Sequence, residues 1–360
     1  MLPNGGRSDG LKVLFLTSGP NAPASRYRVF QYLPHLQQLG FRCSIANSFP
    51  EKYDYFPLIG WRCSRFLKRL VRRWHLLQIR WTQPDLVVLE RELFDEPTDE
   101  FEQKLRRLSS RLVLDIDDGI FLRYPEKFER LTRMCDGVIA GNALLRDYAR
   151  ALNSRVVVIP TCVDIDLYPQ VVHAETPKDR TVIGWIGTPS NIPQLSLVLP
   201  ALRTLSQQSA IELRIVTSGR ECLSSLDTSG IDFRFIPWNA STAVDEIRQF
   251  DIGVMPLNDD DEWNRYKCGL KLIEYMAVGI PAVASSVGVN SEIVASGING
   301  FLAATPADWV DHLSRLTADG ALRHRIGRAG RSTVISRYSI QSSVPLLAKA
   351  FTDFAEVRSS

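Results

Sequence analysis

The chain has 360 residues, of which 45% are apolar and 23% are charged. With 43 basic and 40 acidic residues its net charge is only +3, which excludes a disordered chain and gives no indication of nucleic-acid binding. At about 150 residues per domain, the length predicts two domains. No apolar run reaches the ~20 residues that cross a bilayer, and the first residues lack the pattern of a signal peptide.

The cysteines and histidines give no metal or redox motif. The six cysteines stand at positions 43, 63, 135, 162, 222 and 268, with no CxxC pair and no histidine at zinc-ligand spacing. We therefore expect reduced cysteines in a cytoplasmic protein, and no bound metal.

Twelve short apolar runs, many rich in β-branched residues, predict β-strands. In the first half they are Lys12–Thr17, Phe41–Ala46, Asp85–Leu89, Leu112–Ile116, Gly137–Ala140 and Val156–Ile159. In the second half they are Thr181–Ile186, Glu212–Val216, Asp232–Ile236, Ile252–Leu257, Pro281–Ser285 and Gly300–Ala303. Helical periods between them predict an α/β fold of two doubly wound, Rossmann-like domains facing each other across a cleft.

Domain boundaries follow from one interruption of this alternation. Residues 169–180 include Pro169 and Pro177 and show no period, which predicts a linker. We expect an N-terminal domain over residues 1–168, a C-terminal domain over 181–338 and a final segment over 339–360. The helical period of Ser342–Val357 predicts a helix that either caps the second domain or crosses back to the first.

The strongest local signal is Tyr266–Pro281, YKCGLKLIEYMAVGIP. We predict a helix over Cys268–Val278, whose N-terminal N–H groups favour phosphate. Lys267, Lys271 and Glu274 are spaced i, i+4, i+7 and share one face. Two cations suit a diphosphate, and a carboxylate suits a diol such as ribose. The alternative is a solvated face with ion pairs.

These residues carry a resemblance to a known family. KLIEYMAVGIPAVAS resembles the donor-binding segment of the retaining glycosyltransferases of family 4, which have the GT-B fold. DIGVMPL before it, and VGVNSEIVASGINGFL and IGRAGRSTVISRYS after it, resemble neighbouring parts of the family. TSGPNAPASRYRVFQYLPHLQQLGF and RVVVIPTCVD resemble its first half more weakly. The resemblance implies an enzyme that moves a sugar from a nucleoside diphosphate sugar to a glycan or glycolipid with retention, without a metal or other cofactor.

The resemblance also implies roles for residues of the second half. Glu274 matches the family glutamate that holds the donor ribose. Cys268, Gly269 and Leu270 match the stretch whose backbone approaches the sugar and phosphate. Tyr266 replaces the first glutamate of the family's E-x7-E motif, which leaves the identity of the sugar open.

A turn of small residues after the strand Thr181–Ile186 is a second candidate for phosphate binding. Gly187 and Thr188 begin it. The basic pair that follows this turn in many family members is missing here. We therefore assign the diphosphate to Lys267 and Lys271, whose charges would offset the charge that develops on the leaving group.

Two strand ends supply further candidates. Trp238 follows a strand where the family receives the nucleobase, so it either stacks on the base or is a core or rim aromatic. Asp117 follows another strand and replaces a family histidine that contacts the donor sugar. We expect Asp117 or Asp118 against the sugar or the acceptor hydroxyl, or else in a helix cap or structural hydrogen bond. Asp115-x-Asp117 also matches the metal-binding DxD of the other glycosyltransferase fold, which the two-domain organisation disfavours.

Two arginines in the sequence SRYR complete the candidate site. Arg26 and Arg28 suit two-pronged binding of an acceptor or a phosphate, and surface ion pairs are the alternative. The predicted catalytic residues are Asp117, Asp118 and Lys271.

The sharpest charge feature is Trp61–Trp81, WRCSRFLKRLVRRWHLLQIRW, with seven basic residues and no acidic one. On a helix, Phe66, Leu70, Trp74 and Leu77 lie on one side. Such a helix either contacts an anionic membrane, through the stretch from Arg62 to Arg80, or buries its apolar face and leaves a solvated basic face. The first interpretation favours a lipid-linked or surface-glycan acceptor at the inner membrane face.

Two other functions stay open. Asp117 is compatible with an inverting transferase or a sugar-nucleotide epimerase of the same fold. The missing family glutamate and histidine are compatible with a catalytically silent protein that binds a nucleotide sugar.

Overall fold

The computed structural model describes residues 10–171 and 179–356. They form two compact units: unit 1 runs to Thr161 and resumes at Ile340, and unit 2 is Cys162–Ser339. The first nine residues and most of the predicted linker, residues 172–178, lie outside the described residues. No helix in the described part of the chain has both the length and the apolar character needed to cross a bilayer.

Unit 1 contains a six-stranded parallel sheet. Its strands are β1 (Lys12–Thr17), β2 (Arg42–Asn47), β3 (Leu86–Glu90), β4 (Leu112–Ile116), β5 (Gly137–Ala140) and β6 (Val156–Val158), in the order β2-β1-β3-β4-β5-β6. The helices between them are α1 (Pro23–Arg28), α2 (Leu33–Gln38), α3 (Gly60–Thr82), α4 (Glu100–Leu108), α5 (Pro125–Met134) and α6 (Ala143–Arg150).

Unit 2 contains a second six-stranded parallel sheet. Its strands are β7 (Thr181–Ile186), β8 (Ile211–Thr217), β9 (Phe233–Pro237), β10 (Ile252–Met255), β11 (Ala282–Ser285) and β12 (Phe301–Ala303), in the order β12-β11-β10-β7-β8-β9. The helices are α7 (Leu199–Ser206), α8 (Ala243–Arg248), α9 (Glu262–Arg265), α10 (Leu270–Val278), α11 (Asn290–Ile293), α12 (Pro306–Ala318) and α13 (Gly320–Arg337). All twelve predicted strands are present, with ends that differ by at most two residues.

The final helix α14 (Ile340–Ala355) belongs to unit 1. Of the two predicted alternatives, the helix therefore crosses back to the first domain and does not cap the second. Its Phe351 ring lies 5.9 Å from that of Phe15 on β1 and 6.1 Å from that of Phe41, centroid to centroid. Gly137 on β5 leaves room for Phe354, because a Cβ there would lie 2.2 Å from a ring carbon.

The boundary between the units differs from the predicted end of the first domain at residue 168. Cys162 to Tyr168 lie with unit 2. The Val163 N–H donates to the Tyr338 carbonyl at 3.0 Å, and the Tyr168 side chain is bound within unit 2, as described below. These bonds attach the segment to unit 2 before the chain reaches β7.

Candidate functional site

The unit 2 sheet has its topological switch point between β7 and β10. These strands are hydrogen-bonded neighbours, and the chain winds away from them in opposite directions. Ligands of doubly wound sheets bind outside the carboxyl ends of the strands at such a point. The Tyr275 hydroxyl fixes this edge by accepting from Ile186 N–H at 3.1 Å and donating to the Val254 carbonyl at 3.4 Å.

Helix α10 begins at this edge because it follows β10 and precedes β11. The helix starts at Leu270, two residues later than predicted, because Gly269 is left-handed with a φ of 69°. A side chain at Gly269 would also bring a Cβ to 2.4 Å from Ile293 Cδ1. The N-cap residue, Gly269, has no side chain that could cap the helix, so the N–H groups of its first turn can bind an anion.

Two lysines meet the small-residue turn that follows β7. Lys271 Nζ lies 5.6 Å from the centre of the Trp185 ring, and a Cβ on Gly187 would come within 2.6 Å of Lys271 Cε. Lys267 Nζ donates to Asn191 Oδ1 at 2.7 Å, and the Asn191 amide donates to Thr188 Oγ1 at 2.8 Å. The structure therefore brings both lysines to the turn that was the second candidate for phosphate binding.

Glu274 lies one turn further along α10 and is buried. Its Oε1 accepts a hydrogen bond from the Tyr168 hydroxyl at 2.9 Å. Arg331 links the backbone at Tyr168 to that of α10, because it donates to the Tyr168 carbonyl at 2.7 Å and to the Ala277 carbonyl. Sequence reasoning missed Tyr168 and Arg331, because both are far from α10 along the chain.

Trp238 stands at the same carboxyl edge, directly after β9. Its N–H donates to the Thr217 carbonyl at 2.9 Å, and about a third of the residue is exposed. With β8 between β7 and β9, Trp238 lies about 10 Å along the edge from Gly187. Thr217 lies between them, and its buried hydroxyl has no hydrogen-bond partner among the described residues.

The switch point of the unit 1 sheet lies between β1 and β3. Glu90, the last residue of β3, accepts hydrogen bonds of 2.6 Å from the hydroxyls of Ser18 and Ser25. These bonds hold the loop after β1 and the start of α1 against the end of β3. Arg91 follows at a left-handed φ of 59°, which is uncommon for a residue other than glycine.

Arg91 pairs with the aspartates that follow β4. Its Nε donates to Asp117 Oδ1 at 2.5 Å, and its Nη2 lies 3.8 Å from Asp118 Oδ2. Burial tends to raise the pKa of Asp117, but the charge and hydrogen bond of Arg91 and the charges of Arg28 and Lys52 together outweigh it, so the pKa lies below its ordinary value. Asp117 is therefore an ionised, weakly basic carboxylate. Sequence reasoning missed Arg91, which has no motif around it.

Arg28 does not fit its predicted role as an acceptor or phosphate contact. It is buried, and its guanidinium binds both Asp115 oxygens at 2.9–3.2 Å and the Ile159 carbonyl at 2.7 Å. Burial raises the pKa of Asp115 to about 6, although Arg28 opposes the shift. This pair ties α1 to the sheet interior. Arg26 is half-buried, with its guanidinium carbon 5.5 Å from the centre of the Tyr27 ring.

The Arg28–Asp115 pair also bears on the DxD interpretation of Asp115-x-Asp117. Each of the two carboxylates is bound to an arginine, Asp115 to Arg28 and Asp117 to Arg91. Within residues 10–171 and 179–356, no group of three or more histidine, cysteine, aspartate or glutamate side chains is placed to hold a metal ion.

Comparison with known proteins identifies the fold. Residues 180–319 match the family model described as "Glycosyl transferases group 1". The fold is that of sucrose-phosphate synthase from Thermosynechococcus elongatus, with a TM-score of 0.74 at 15% identity over 95% of this chain and 98% of that one. Anabaena Alr3699/HepE, solved in complex with UDP and glucose, has a TM-score of 0.64 at 16% identity, covering 95% of this chain and all of that one. Two six-stranded parallel sheets with flanking helices, together with these structural similarities, show the GT-B fold.

Similar curated sequences are D-inositol 3-phosphate glycosyltransferases. The protein from Corynebacterium jeikeium (strain K411) is 25% identical over 96% of this chain and 82% of its own length. The protein from Xylanimonas cellulosilytica is 24% identical over 57% of this chain and 54% of its own length. The chain thus spans about half the length of the second relative.

Proposed function

We propose that the protein transfers a glycosyl group from a nucleoside diphosphate sugar to a hydroxyl of a glycan or lipid-linked acceptor, with retention at the anomeric carbon. The observation that carries the proposal is that Lys267 and Lys271, on either side of the start of α10, both reach the turn that runs from Gly187 to Asn191. Two cations and uncapped N–H groups at a switch point are suited to a diphosphate. The similar fold solved with UDP and glucose supports a nucleotide sugar as the donor.

Each part of the donor has a matching group in unit 2. The diphosphate binds Lys267, Lys271 and the first turn of α10, and the sugar lies against the stretch from Cys268 to Leu270. The ribose diol binds the Glu274 carboxylate. Trp238, on the same sheet edge, stacks on the nucleobase.

The proposed reaction breaks the bond between the anomeric carbon and the diphosphate oxygen and forms a bond to the acceptor oxygen. Negative charge grows on the departing diphosphate, and Lys271 and Lys267 stabilise it. The acceptor proton must leave with a base. Asp117 is a weak base because Arg91 lowers its pKa, whereas a phosphate oxygen with a pKa near 6 is a stronger one. We therefore assign the proton to the leaving group and the acceptor contacts to Asp117, Asp118 and Arg26.

The pairing of Asp117 with Arg91 favours this scheme over an inverting transferase or an epimerase, because both need a side chain that takes a proton. The occupied carboxylates of Asp115 and Asp117 likewise favour metal-independent transfer. A catalytically silent nucleotide-sugar-binding protein would keep the unit 2 contacts and show no turnover.

We place the enzyme in the synthesis of cell-surface glycans, in the cytoplasm at the inner face of the membrane.

The test begins with thermal unfolding of the purified chain against UDP-, GDP-, ADP-, CMP- and dTDP-sugars, with Mg²⁺ or with EDTA. A ligand that binds the native state at 100 times its Kd stabilises it by about 2.7 kcal/mol. One nucleotide family should raise the Tm equally with and without metal. Glu274→Gln should abolish the shift, and Glu292→Gln, an exposed glutamate of the same unit, should keep it.

Turnover then separates an enzyme from a silent binder. Release of the nucleoside diphosphate should follow addition of an acceptor, and proton NMR of the product should show the anomeric configuration of the donor. Binding without release, over a range of glycan and glycolipid acceptors, would support the silent binder. An inverted product, or loss of release with EDTA, would contradict the mechanism.

A further inference from the structure

Helix α3 of unit 1 is packed with its apolar side outward. The residues it buries are Ser64, Arg72, His75 and Ile79, three of them polar. The sequence left open whether the apolar side faces the core, and the structure excludes that interpretation. Six large apolar side chains of the helix are 41–67% exposed, namely Trp61, Phe66, Leu70, Trp74, Leu77 and Trp81.

Polar bonds hold the inner side of α3. Arg72 is fully buried and donates to the Thr17 carbonyl at 2.7 Å and the Ala46 carbonyl at 2.9 Å, at the ends of β1 and β2. Arg65 and Arg69 bind the Glu96 carboxylate at 2.6 and 2.7 Å. The helix is therefore attached to the unit by cations that meet carbonyl and carboxylate oxygens and by the buried Ile79.

The remaining cations of α3 lie on its outer side. Arg62, Arg73 and Arg80 are exposed and form no ion pair with another described residue. At 100° per residue, these three arginines and the outer apolar residues from Phe66 to Trp81 fall within an arc of about 120°. The arginines lie at one margin of that arc. The Trp74 and Trp81 rings are in contact, with centroids 5.6 Å apart.

The apolar surface continues beyond the start of α3. Leu58 is fully exposed and Ile59 is nearly half exposed, directly before the first turn of the helix. Phe49 and Phe56, in the same loop, are exposed and pack edge to face at 5.5 Å. We call the loop residues 49–59 and the outer side of α3 the aromatic-basic face.

We propose that the aromatic-basic face docks on a lipid bilayer that contains anionic lipids. Tryptophan and phenylalanine side chains enter the boundary between headgroups and acyl chains, and arginines beside them meet lipid phosphates. A helix with no acidic residue and an exposed side of arginine, tryptophan and leucine complements such a surface in both charge and polarity. The docking does not depend on the proposed transfer reaction, although it would deliver a lipid-linked acceptor to unit 1.

Co-sedimentation of the full chain with vesicles tests the proposal. We expect binding to vesicles of 70% phosphatidylcholine and 30% phosphatidylglycerol at least tenfold tighter than to phosphatidylcholine alone. Tryptophan fluorescence should shift to shorter wavelength on binding, and lipids brominated near the headgroup should quench it. Absence of binding to the anionic vesicles would overturn the proposal.

Two sets of variants assign the binding to this face. The triple variant Arg62→Glu, Arg73→Glu, Arg80→Glu should lose at least tenfold in affinity for the anionic vesicles. Arg107→Glu, Arg133→Glu, Arg150→Glu makes the same change of charge at exposed arginines of unit 1 outside α3 and should lose little. Equal losses in the two triple variants would mean attraction by net charge alone, which contradicts docking through α3.

A second pair of variants tests whether the apolar side chains of the aromatic-basic face contribute to vesicle binding. Leu70→Ser with Leu77→Ser should weaken vesicle binding and reduce the fluorescence shift, while Ile335→Ser with Leu346→Ser, at similarly exposed positions, should not. All four positions are exposed, so each variant is expected to fold, and circular dichroism checks this. If sedimentation equilibrium shows a dimer that Leu70→Ser with Leu77→Ser dissociates, the face is an interface between two copies and the bilayer proposal is wrong.

Discussion

The Tyr168 hydroxyl donates a hydrogen bond of 2.9 Å to Oε1 of Glu274, a residue 106 positions later in the chain. Both side chains are buried. The bond fixes the carboxylate on α10 to the segment that precedes β7. Arg331 fixes that segment in turn through the Tyr168 carbonyl. The group proposed to bind ribose is thus oriented by residues outside its own helix.

Removal of the Tyr168 hydroxyl should therefore weaken donor binding without removing the carboxylate. We expect Tyr168→Phe to raise the Kd of the nucleotide sugar threefold to tenfold, since this range corresponds to about 0.7–1.4 kcal/mol, the net contribution of a typical hydrogen bond. Isothermal titration calorimetry measures the change. Tyr338→Phe, at another buried tyrosine of unit 2, is the control. A lower Tm with an unchanged Kd would show that Tyr168 only stabilises the fold.

Gly187 should be required for the position of Lys271. A methyl group at residue 187 would lie 2.6 Å from Lys271 Cε and 2.7 Å from Trp185 ring carbons, so the lysine must move. We expect Gly187→Ala to lower kcat/KM at least tenfold. Combining it with Lys271→Ala should cost little more than Lys271→Ala alone, because the two changes act on one group.

Gly320→Ala is the matched control for this substitution, because a Cβ there meets the Arg323 side chain at an ordinary 3.5 Å. Steady-state kinetics with the nucleotide identified by thermal unfolding gives the comparison. Fully additive losses in the double variant would contradict the coupling between Gly187 and Lys271.

The buried pair of Arg28 and Asp115 should be structural. We expect Arg28→Met to destabilise the protein by roughly 3–5 kcal/mol at pH 7.5, because it leaves a buried carboxylate without its partner. The pKa of Asp115 is about 6 even with Arg28 present, so the native state of the variant takes up a proton more readily than the unfolded chain, whose aspartate pKa is near 3.9. Lowering the pH to 5 should therefore reduce the penalty.

Thermal unfolding at pH 5 and 7.5 checks this prediction. Arg28→Met with Asp115→Leu should recover much of the lost stability, since neither charge is then buried alone. If Arg28→Met instead lost activity at an unchanged Tm, the structural role would be wrong and Arg28 would be a binding residue, as the sequence predicted.

The strands were predictable because both faces of each sheet are covered by helices, which makes each strand a continuous apolar run. The strands Leu112–Ile116 and Thr181–Ile186 have the predicted bounds. Helix α10 and Lys271 on it were also predictable, because helical periodicity is a local property. Lys267 was predicted to share a helix face with Lys271, but it precedes the helix, which begins at Leu270. The resemblance pointed to Glu274 and its neighbours for the same reason, since those motifs are continuous in the sequence.

Contacts between distant segments were not predictable. Arg91 reaches Asp117 across two neighbouring strands, and Arg28 reaches Asp115 from a helix 87 positions earlier. Periodicity found the two sides of α3, but it could not tell which one is packed. The packed side is the one that carries Arg72, which is buried at the ends of β1 and β2. Its burial is favourable because backbone carbonyls accept its hydrogen bonds, and no sequence motif predicts those acceptors.

The inner side of α3 also predicts acid sensitivity through His75. Burial, followed by the charge of Arg72, lowers the pKa of His75 to about 4, and its Nδ1 lies 3.4 Å from an Arg72 nitrogen. Between pH 6.5 and 4 the unfolded chain binds a proton here that the native state does not, so acidification favours unfolding. Between pH 7.5 and 5, the free energy of unfolding of His75→Gln should therefore fall by about 1–2 kcal/mol less than that of the unchanged chain, and its Tm should fall less.

Thermal unfolding over this pH range measures the effect, with His324→Gln at an exposed histidine as the control. Asp115 works in the opposite direction, because its raised pKa makes the native state lose stability as the pH rises from 4 to 6. That contribution is present in all three proteins and cancels in the comparison. Parallel curves of Tm against pH for His75→Gln and the unchanged chain would contradict a neutral, buried His75 on the packed side of α3.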